Sequence, residues 1–281
     1  MTAAHVFDTH QHHGLLTHSA NAAAVGDGTG TDEAWLAREL EARRASMDRL
    51  GIGRALILPG NSYLRPRGLA DTRVVNDGIR AYIDRDPERF PFGLGVVEPL
   101  YGREGLAEIR RVKDELGLVG IAYHPRFQGV AANDPWIQRH LEVIEELGMI
   151  PFVHSHGDST LEAPLLVDKL AAAHPALQIV VLDGFTGFHN SLECVALAER
   201  RGNLLFDTAM AFNISALEQF VSAVGPERLL FGSDIYSYPM TFAAGVTPDV
   251  LRAAPWGEVA TDAVLGGNLT VLLRQSGFDL P

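Results

Sequence analysis

The stretch Val6-Phe7-Asp8-Thr9-His10-Gln11-His12 joins a short apolar run to two histidines one residue apart. In an extended strand, side chains two residues apart project from the same face, so His10 and His12 can direct their rings at one point. Neutral imidazole is a frequent transition-metal ligand, which makes the pair a candidate for two thirds of a metal site. The alternative is a surface tail or the remnant of an affinity tag, and the pair alone does not decide between them.

Outward from this strand, short β-type runs alternate with helix-type stretches along the chain. The β-type runs are 6–10, 54–59, 91–97, 119–124, 150–154, 178–183, 203–208 and 228–234. The helix-type stretches are 32–50, 70–85, 103–116, 135–147, 163–174, 191–201 and 215–224, with a last one inside 258–275. Eight such pairs predict an α/β fold in which a parallel sheet closes into a (β/α)8 TIM barrel.

An open doubly wound sheet is the alternative fold. It would usually carry a glycine fingerprint after the first strand, which the residues following His12 do not supply. Because no linker divides the chain, we expect a single domain over residues 1–281. The stretch 17–31 is rich in Ala, Gly, Ser and Thr and predicts a long loop after the first strand, either a lid over the site or a disordered segment.

The composition excludes several classes of partner. The chain of 281 residues has 23 basic and 35 acidic residues. Its net charge of −12 would repel nucleic acid and anionic membrane surfaces. The one cysteine, Cys194, rules out an internal disulfide and suits a reducing cytoplasm. No apolar run approaches the roughly 20 residues of a membrane span, and the first residues lack the pattern of a signal peptide. We therefore expect a soluble cytoplasmic protein.

Ionisable residues gather at the ends of the predicted strands. They are His10, His12, Glu98, His124, Arg126, His154, His156, Asp183, Asp207 and Asp234. In a barrel these ends converge on one mouth, where charged residues are seldom needed to stabilise the fold. The pattern therefore predicts an active site. By contrast, His140 and His174 fall on predicted helices and are expected to be surface or capping groups.

Three motifs resemble those of the amidohydrolase-related family, whose members are metal-dependent (β/α)8 enzymes of the amidohydrolase superfamily. They are Asp8-Thr9-His10-Gln11-His12, Pro151-Phe152-Val153-His154 and Leu230-Phe231-Gly232-Ser233-Asp234, and Tyr123-His124-Pro125-Arg126 is similar to the family's fourth-strand region. The resemblance covers nearly the whole chain. It implies that His10, His12 and His154 bind a divalent metal, and that Asp234 completes the site or orients a bound water. It also implies zinc, with manganese or iron as alternatives.

Such a ligand set has two chemical uses. A bound dication lowers the pKa of water to about 7, and Asp234 could then accept or shuttle the proton. The metal could instead polarise a carbonyl or carboxylate of the substrate.

Two departures from the family pattern bear on the chemistry. The fourth strand, Ile121-Ala122-Tyr123-His124, lacks the lysine that bridges two metals in binuclear members, so we predict one metal ion. Asp183 stands where the family usually has a histidine at the end of the sixth strand. An aspartate can bind metal or carry a proton, but it is the poorer proton donor at neutral pH unless its pKa is raised. His189, His156 or His124 could take over that role.

Other residues near the mouth have competing interpretations. Arg126, and with less support Arg65, could bind a substrate carboxylate, or each could pair with a surface acid. Tyr236 lies in a loop expected to line the pocket. His156 could be catalytic or could hydrogen-bond a loop. Asp207 is expected to hold its strand end, and Asp8 to anchor the first strand.

Three functional hypotheses remain open. The first is a mononuclear metal-dependent hydrolase that cleaves an amide, lactone or related bond of a small molecule with metal-activated water. The second is a lyase, a non-oxidative decarboxylase or a hydratase of a small aromatic or unsaturated carboxylic acid. The third is a catalytically impaired metal-binding barrel. Barrels of this family are often dimers, so a homodimer is possible.

Overall fold

The computed structural model describes residues 6–15, 33–60, 63–238 and 246–280. The strands in these ranges are β1 (Phe7–Leu15), β2 (Arg54–Pro59), β3 (Phe92–Val96), β4 (Gly120–Tyr123), β5 (Ile150–His154), β6 (Ile179–Leu182), β7 (Leu204–Asp207), β8 (Leu229–Leu230) and β9 (Ile235–Tyr238). They form one sheet in the order β8-β7-β6-β5-β4-β3-β2-β1-β9. Every paired neighbour is parallel.

The sheet closes on itself through residues 229–238. At its start, β8 pairs with the end of β7. The chain then bonds to β1, since the Thr9 amide donates to the Phe231 carbonyl and the Asp234 amide donates to the His10 carbonyl, both at 2.8 Å. β9 continues along β1. The predicted (β/α)8 barrel is therefore confirmed, and its eighth position is divided between β8 and β9.

Helices connect the strands and cover the outside of the barrel. They are α1 (Glu33–Leu50), α2 (Leu69–Ile83), α3 (Arg103–Asp114), α4 (Pro125–Gln128), α5 (Pro135–Glu146), α6 (Val167–Ala173), α7 (Phe188–Arg200), α8 (Ile214–Val224), α9 (Pro248–Arg252), α10 (Glu258–Asp262) and α11 (Asn268–Gln275). Each predicted helical stretch overlaps at least one of them, and the last overlaps both α10 and α11, whereas α4 and α9 were not predicted. Within the described ranges, no helix has the length and apolar character needed to cross a bilayer.

Two predicted strand boundaries were wrong. β1 continues to Leu15, because β2 on one side and β9 on the other satisfy its backbone. The strand predicted over 228–234 shortens to Leu229–Leu230, and the chain leaves the extended region at Asp234, which has a φ of 56°. The long loop predicted over 17–31 lies outside the described residues.

An irregularity in β1 sets the direction of its side chains. Between Asp8 and Gln11, three steps along β1 match two steps along β2, so β1 holds one extra residue. Regular alternation would place Asp8 on the same face as His10. Instead, Asp8 accepts bonds from the His10 and Ser233 amides, both at 3.0 Å, and anchors the strand as expected. The extra residue therefore separates the anchoring carboxylate from the histidines that face the barrel interior.

His140 lies in the core rather than on the surface, contrary to the expectation from its helical position. It is fully buried on α5, and its Nδ1 lies 3.1 Å from the Tyr123 hydroxyl. Burial lowers the pKa of His140 to about 4. Because the charged ring cannot be hydrated there, the folded protein holds this imidazole neutral.

Acid should therefore destabilise the fold through His140. Between pH 6.5 and 4 the unfolded chain protonates this residue and the folded chain does not, so the free energy of unfolding falls as the pH falls. The contribution is about 2 to 3 kcal/mol by pH 4.5. Urea unfolding in chelator at pH 7.5 and 4.5 should show a smaller pH-dependent loss for His140→Gln than for the unmodified protein. Equal losses would contradict this assignment.

Candidate functional site

Three imidazoles from two strands meet inside the mouth of the barrel. His10 and His12 lie on β1, and His154 ends β5 on the facing side. The Nε2 atoms of His10 and His12 are 2.8 Å apart, and His154 Nε2 lies 3.2 Å and 3.3 Å from them. All three residues are fully buried. The structure thus brings together the three histidines that the sequence analysis proposed as metal ligands.

The opposite ring nitrogens are anchored by acceptors. The partners of Nδ1 are Asp207 Oδ2 at 2.7 Å for His10, Pro59 O at 2.8 Å for His12 and Tyr123 O at 2.8 Å for His154. A backbone carbonyl can only accept, so Nδ1 carries the proton in His12 and His154, and a carboxylate favours the same tautomer in His10. Each Nε2 therefore directs a lone pair at the other two.

Asp234 adds an oxygen to this group. Its Oδ1 lies 3.4 Å from Nε2 of both His10 and His12, and its side chain is 12% exposed. The residue follows β8 with a left-handed φ of 56°, a conformation that is costly for an aspartate. The bond from its amide to the His10 carbonyl holds this turn in place.

These four atoms have the character of a metal-ligand set. Three nitrogen lone pairs and a carboxylate oxygen face one another with no proton available between the rings, an arrangement that repels unless a cation lies among them. Burial and the neighbouring histidines hold the pKa values of His10 and His154 well below the usual range, so protonation of these rings does not relieve the repulsion. Donors of a tetrahedral site with metal–nitrogen bonds near 2.0 Å lie about 3.3 Å apart. The separations among the three Nε2 atoms, and those from Asp234 Oδ1 to His10 and His12, are close to this value.

Asp207 supports the site in a way that sequence reasoning missed. We expected it only to hold its strand end. Its Oδ1 does accept from the Asp183 amide at 2.9 Å, but its Oδ2 accepts from His10 Nδ1. Gly232 makes room for this pair, because a Cβ there would lie 2.6 Å from Asp207 Oδ2. The carboxylate therefore fixes the ring of a candidate ligand.

Replacing Asp207 with asparagine should weaken metal binding. The amide preserves the shape but no longer enforces the His10 tautomer, and loss of such a partner costs about 10- to 100-fold in metal affinity. Competition with a chelator measures the change. Asp77→Asn, which alters an exposed carboxylate paired with Arg111, is the control. Equal affinities for Asp207→Asn and the unmodified protein would show that the tautomer does not depend on this residue.

Asp183 follows β6 and also turns into the mouth. It is 3% exposed, and its Oδ1 lies 3.8 Å from His10 Nδ1. Burial, together with the charges of Asp234 and Asp207, raises the pKa of Asp183 well above its usual range. A cation near these groups would offset the repulsion.

His124 lies against the candidate ligands. Its ring stacks on that of His154 with centroids 4.2 Å apart, and its Nδ1 lies 2.5 Å from Glu162 Oε1. Glu162 is fully buried, and burial raises its pKa to about 7. Sequence reasoning missed Glu162, because it lies in the irregular stretch after β5, and its only signal was an acid shortly after two strand-end histidines.

Arg126 and His156 lie on the rim of the same mouth. The Arg126 side chain is 30% exposed, and its Nε is 3.4 Å from Glu162 Oε2. After burial, the charge of Arg126 is the main influence that holds the pKa values of His124 and His156 below their usual range, so it faces these rings. The His156 ring is 9% exposed and its Nδ1 accepts from the Asp158 amide at 3.3 Å.

The remaining candidates divide into two groups. Tyr236 joins the site, since its ring stacks on His12 with centroids 4.2 Å apart. Arg65 has a protein partner for its charge, because its Nε donates to Glu98 Oε1 at 2.7 Å. His189 lies exposed in the first turn of α7 and does not replace the histidine missing at Asp183.

A buried arginine braces the strand that carries the histidine pair. Arg43 on α1 is fully buried and donates to the His12 carbonyl at 2.8 Å, to Gln11 Oε1 at 3.0 Å and to Ser237 Oγ at 3.2 Å. Glu39 balances its charge at 2.6 Å. One guanidinium therefore ties β1, β9 and α1 together behind the histidines.

Comparison with known proteins gives two kinds of similarity. A family model described as amidohydrolase matches residues 7–268. A curated relative, 2-amino-3-carboxymuconate-6-semialdehyde decarboxylase of Dictyostelium discoideum, is 31% identical over 93 residues, or 33% of this chain. That match spans about a quarter of the relative's own length, 26%.

Solved structures share the whole fold at low identity. One is 5-carboxyvanillate decarboxylase from Novosphingobium aromaticivorans with bound manganese, with a TM-score of 0.70 and 17% identity over 96% of this chain and 97% of that one. Another is 4-oxalomesaconate hydratase from Rhodopseudomonas palustris, with a TM-score of 0.70 and 16% identity over 97% and 98%. Because the family model covers most of the chain, including β1 to β9, the protein belongs to the amidohydrolase family.

Proposed function

We propose that the protein is a metal-dependent lyase that removes carbon dioxide from a small aromatic or unsaturated carboxylic acid. The observation that carries the proposal is the set of three facing Nε2 lone pairs with the Asp234 carboxylate beside them. Similarity to two decarboxylases and a hydratase favours a lyase over the hydrolase that we expected first. The ordered ligand set also disfavours an impaired barrel.

His10, His12, His154 and Asp234 would hold one divalent ion. The ion would supply a positive charge that binds substrate oxygens and stabilises negative charge as it develops. Zinc suits four nitrogen and oxygen ligands, whereas the manganese in a protein of the same fold favours that metal. Elemental analysis of the purified protein distinguishes them.

Arg126 is proposed to bind and orient the substrate carboxylate. Its Nε makes no hydrogen bond within the described part of the chain, although the guanidinium lies at the rim beside the histidines. Arginine suits this task because its planar fork matches a carboxylate. The Tyr236 ring, stacked on His12, provides an apolar wall against which a planar substrate could pack.

His124 and Glu162 are proposed to handle the proton. When the bond between carbon and carboxylate breaks, carbon dioxide leaves and the electron pair stays on the substrate carbon, which then takes a proton. Glu162, whose pKa burial raises to about 7, shares a proton with His124 Nδ1 at neutral pH. The pair can therefore supply a proton at the mouth without opening the site to bulk water.

Isotope labelling tests the reaction class. Metal-loaded protein is incubated with hydroxybenzoic and unsaturated dicarboxylic acids that carry carbon-13 in the carboxyl group, in water enriched in oxygen-18. Decarboxylation releases labelled carbon dioxide and leaves no oxygen-18 in the organic product. Oxygen-18 in a cleaved acid would identify a hydrolase, and addition of water without carbon dioxide would identify a hydratase. No turnover with stoichiometric metal would support the impaired barrel.

The role assigned to Arg126 predicts a change in substrate binding. Arg126→Gln should raise KM by about 10- to 100-fold, the range expected on losing a charge-assisted contact, with a smaller effect on kcat. Steady-state kinetics on the acid identified above measures both constants. Arg110→Gln, which alters an exposed arginine paired with Glu146, should leave both unchanged. An unchanged KM in Arg126→Gln would remove this residue from the substrate site.

A further inference from the structure

Among the described residues, the carboxylate of Asp183 has no partner that explains its position. The residue is 3% exposed, and its Oδ1 receives no hydrogen bond from any described residue. The main chain there has a φ of 60°, in the left-handed region, and the Asp183 amide is held by Asp207 Oδ1 at 2.9 Å. The fold therefore stabilises an unfavourable backbone conformation, and that conformation turns an unpaired carboxylate into the mouth.

A second carboxylate faces it in the same way. Asp234 Oδ1 is also buried without a hydrogen bond among the described residues, and Asp234 has a φ of 56°. One oxygen of each carboxylate and one nitrogen of His10 all lie within 4.8 Å of one another. Two carboxylate oxygens at this separation repel strongly when both are ionised, and a cation that both can contact removes the repulsion.

The neighbours of Asp183 leave few other roles for it. Burial removes it from water, and among the described residues no lysine or arginine forms an ion pair with it. Its Oδ1 is 3.8 Å from His10 Nδ1, but that nitrogen is already bonded to Asp207 at 2.7 Å. A purely structural aspartate would be expected to pair with a nearby donor.

We infer that Asp183 is a ligand of the same divalent ion, which is then held by three imidazole nitrogens and two carboxylate oxygens. The inference rests on the metal-dependent function proposed above and adds a fifth protein ligand at the position where a histidine was expected. Zinc is usually held by four ligands, and added carboxylate oxygen suits manganese. Asp183 thus raises the preference of the site for manganese relative to zinc.

Metal titration of three proteins tests the inference. Dissociation constants for Mn²⁺ and Zn²⁺ are measured by competition with a chelator for the unmodified protein, Asp183→Asn and Asp183→Ala. We expect Asp183→Ala to weaken Mn²⁺ binding by about 100-fold and Zn²⁺ binding by about 10-fold at most. Asp183→Asn preserves the shape and one weaker oxygen ligand, and should fall between. Glu98→Gln, which neutralises another buried strand-end carboxylate, is the control for loss of charge and should change both constants little.

A crystal structure of the manganese-loaded protein gives a readout that does not depend on a variant. An Asp183 oxygen should lie within about 2.3 Å of the ion. A longer distance would overturn the inference and leave the proposed function intact. The same conclusion would follow if Asp183→Ala weakened the binding of Mn²⁺ and Zn²⁺ no more than Glu98→Gln does. Failure of the unmodified protein to bind either metal would overturn both.

Discussion

His12→Ala is expected to contain no stoichiometric metal ion and to lose nearly all activity. The substitution removes one of three facing Nε2 donors and leaves His10 and His154 to hold the ion with carboxylates. We expect kcat to fall at least about 1000-fold, because several kcal/mol of charge stabilisation would be lost. Elemental analysis and steady-state kinetics on the same preparation measure the two effects.

Thermal unfolding separates this effect from misfolding. Added metal should raise the Tm of the unmodified protein, since a ligand that binds only the folded state stabilises it, and should not raise the Tm of His12→Ala. Without metal the two proteins should unfold at similar temperatures, because the variant loses a repulsive contact along with a packing contact. His189→Ala, at an exposed position, is the matched control. Stoichiometric metal in His12→Ala would contradict the assignment of the site.

Asp234→Asn is expected to abolish turnover even at saturating metal. The amide keeps the size of the side chain but loses the negative charge that lies 3.4 Å from two of the histidine nitrogens. We expect kcat to fall at least about 100-fold, because the bound ion would lose an anionic ligand and would stabilise the developing charge less well. Kinetics over a range of metal concentrations measures it.

Two outcomes would assign Asp234 differently. If excess metal restores full activity to Asp234→Asn, the carboxylate only binds the ion. If activity and metal content are both unchanged, Asp234 has no part in the site. Asp249→Asn, at an exposed carboxylate on α9, should behave like the unmodified protein.

Local sequence pattern was sufficient for the order of the elements and for the histidine set. Apolar periodicity located the strands, and the parallel barrel then brought His154 to the pair on β1. The pattern did not predict the break after β8, because the left-handed turn at Asp234 is held by a bond from its amide to the His10 carbonyl. That constraint arises from residues far away in sequence and leaves no periodic signal.

The partners of the charged residues around the site could not be predicted from local sequence. Asp207 was recognised as a strand-end residue, but its partner His10 is 197 positions away, so its orienting role was not readable. Glu162 has a similar relation to His124, 38 positions away. Arg65 was a candidate either for the substrate carboxylate or for an ion pair, and in the fold it pairs with Glu98. For Asp207 and Arg65 the residue type and barrel end were predictable, and in all three cases the partner depended on the folded geometry.

Closure of the barrel between β1 and the segment 229–238 has a kinetic consequence. Asp8 and Ser233, which hold this seam, are 225 residues apart, and such distant contacts form late because of the entropy of closing the intervening chain. We therefore expect His10 and His12 to meet Asp234 only when folding is nearly complete. A dication present during refolding should slow unfolding and leave the folding rate almost unchanged.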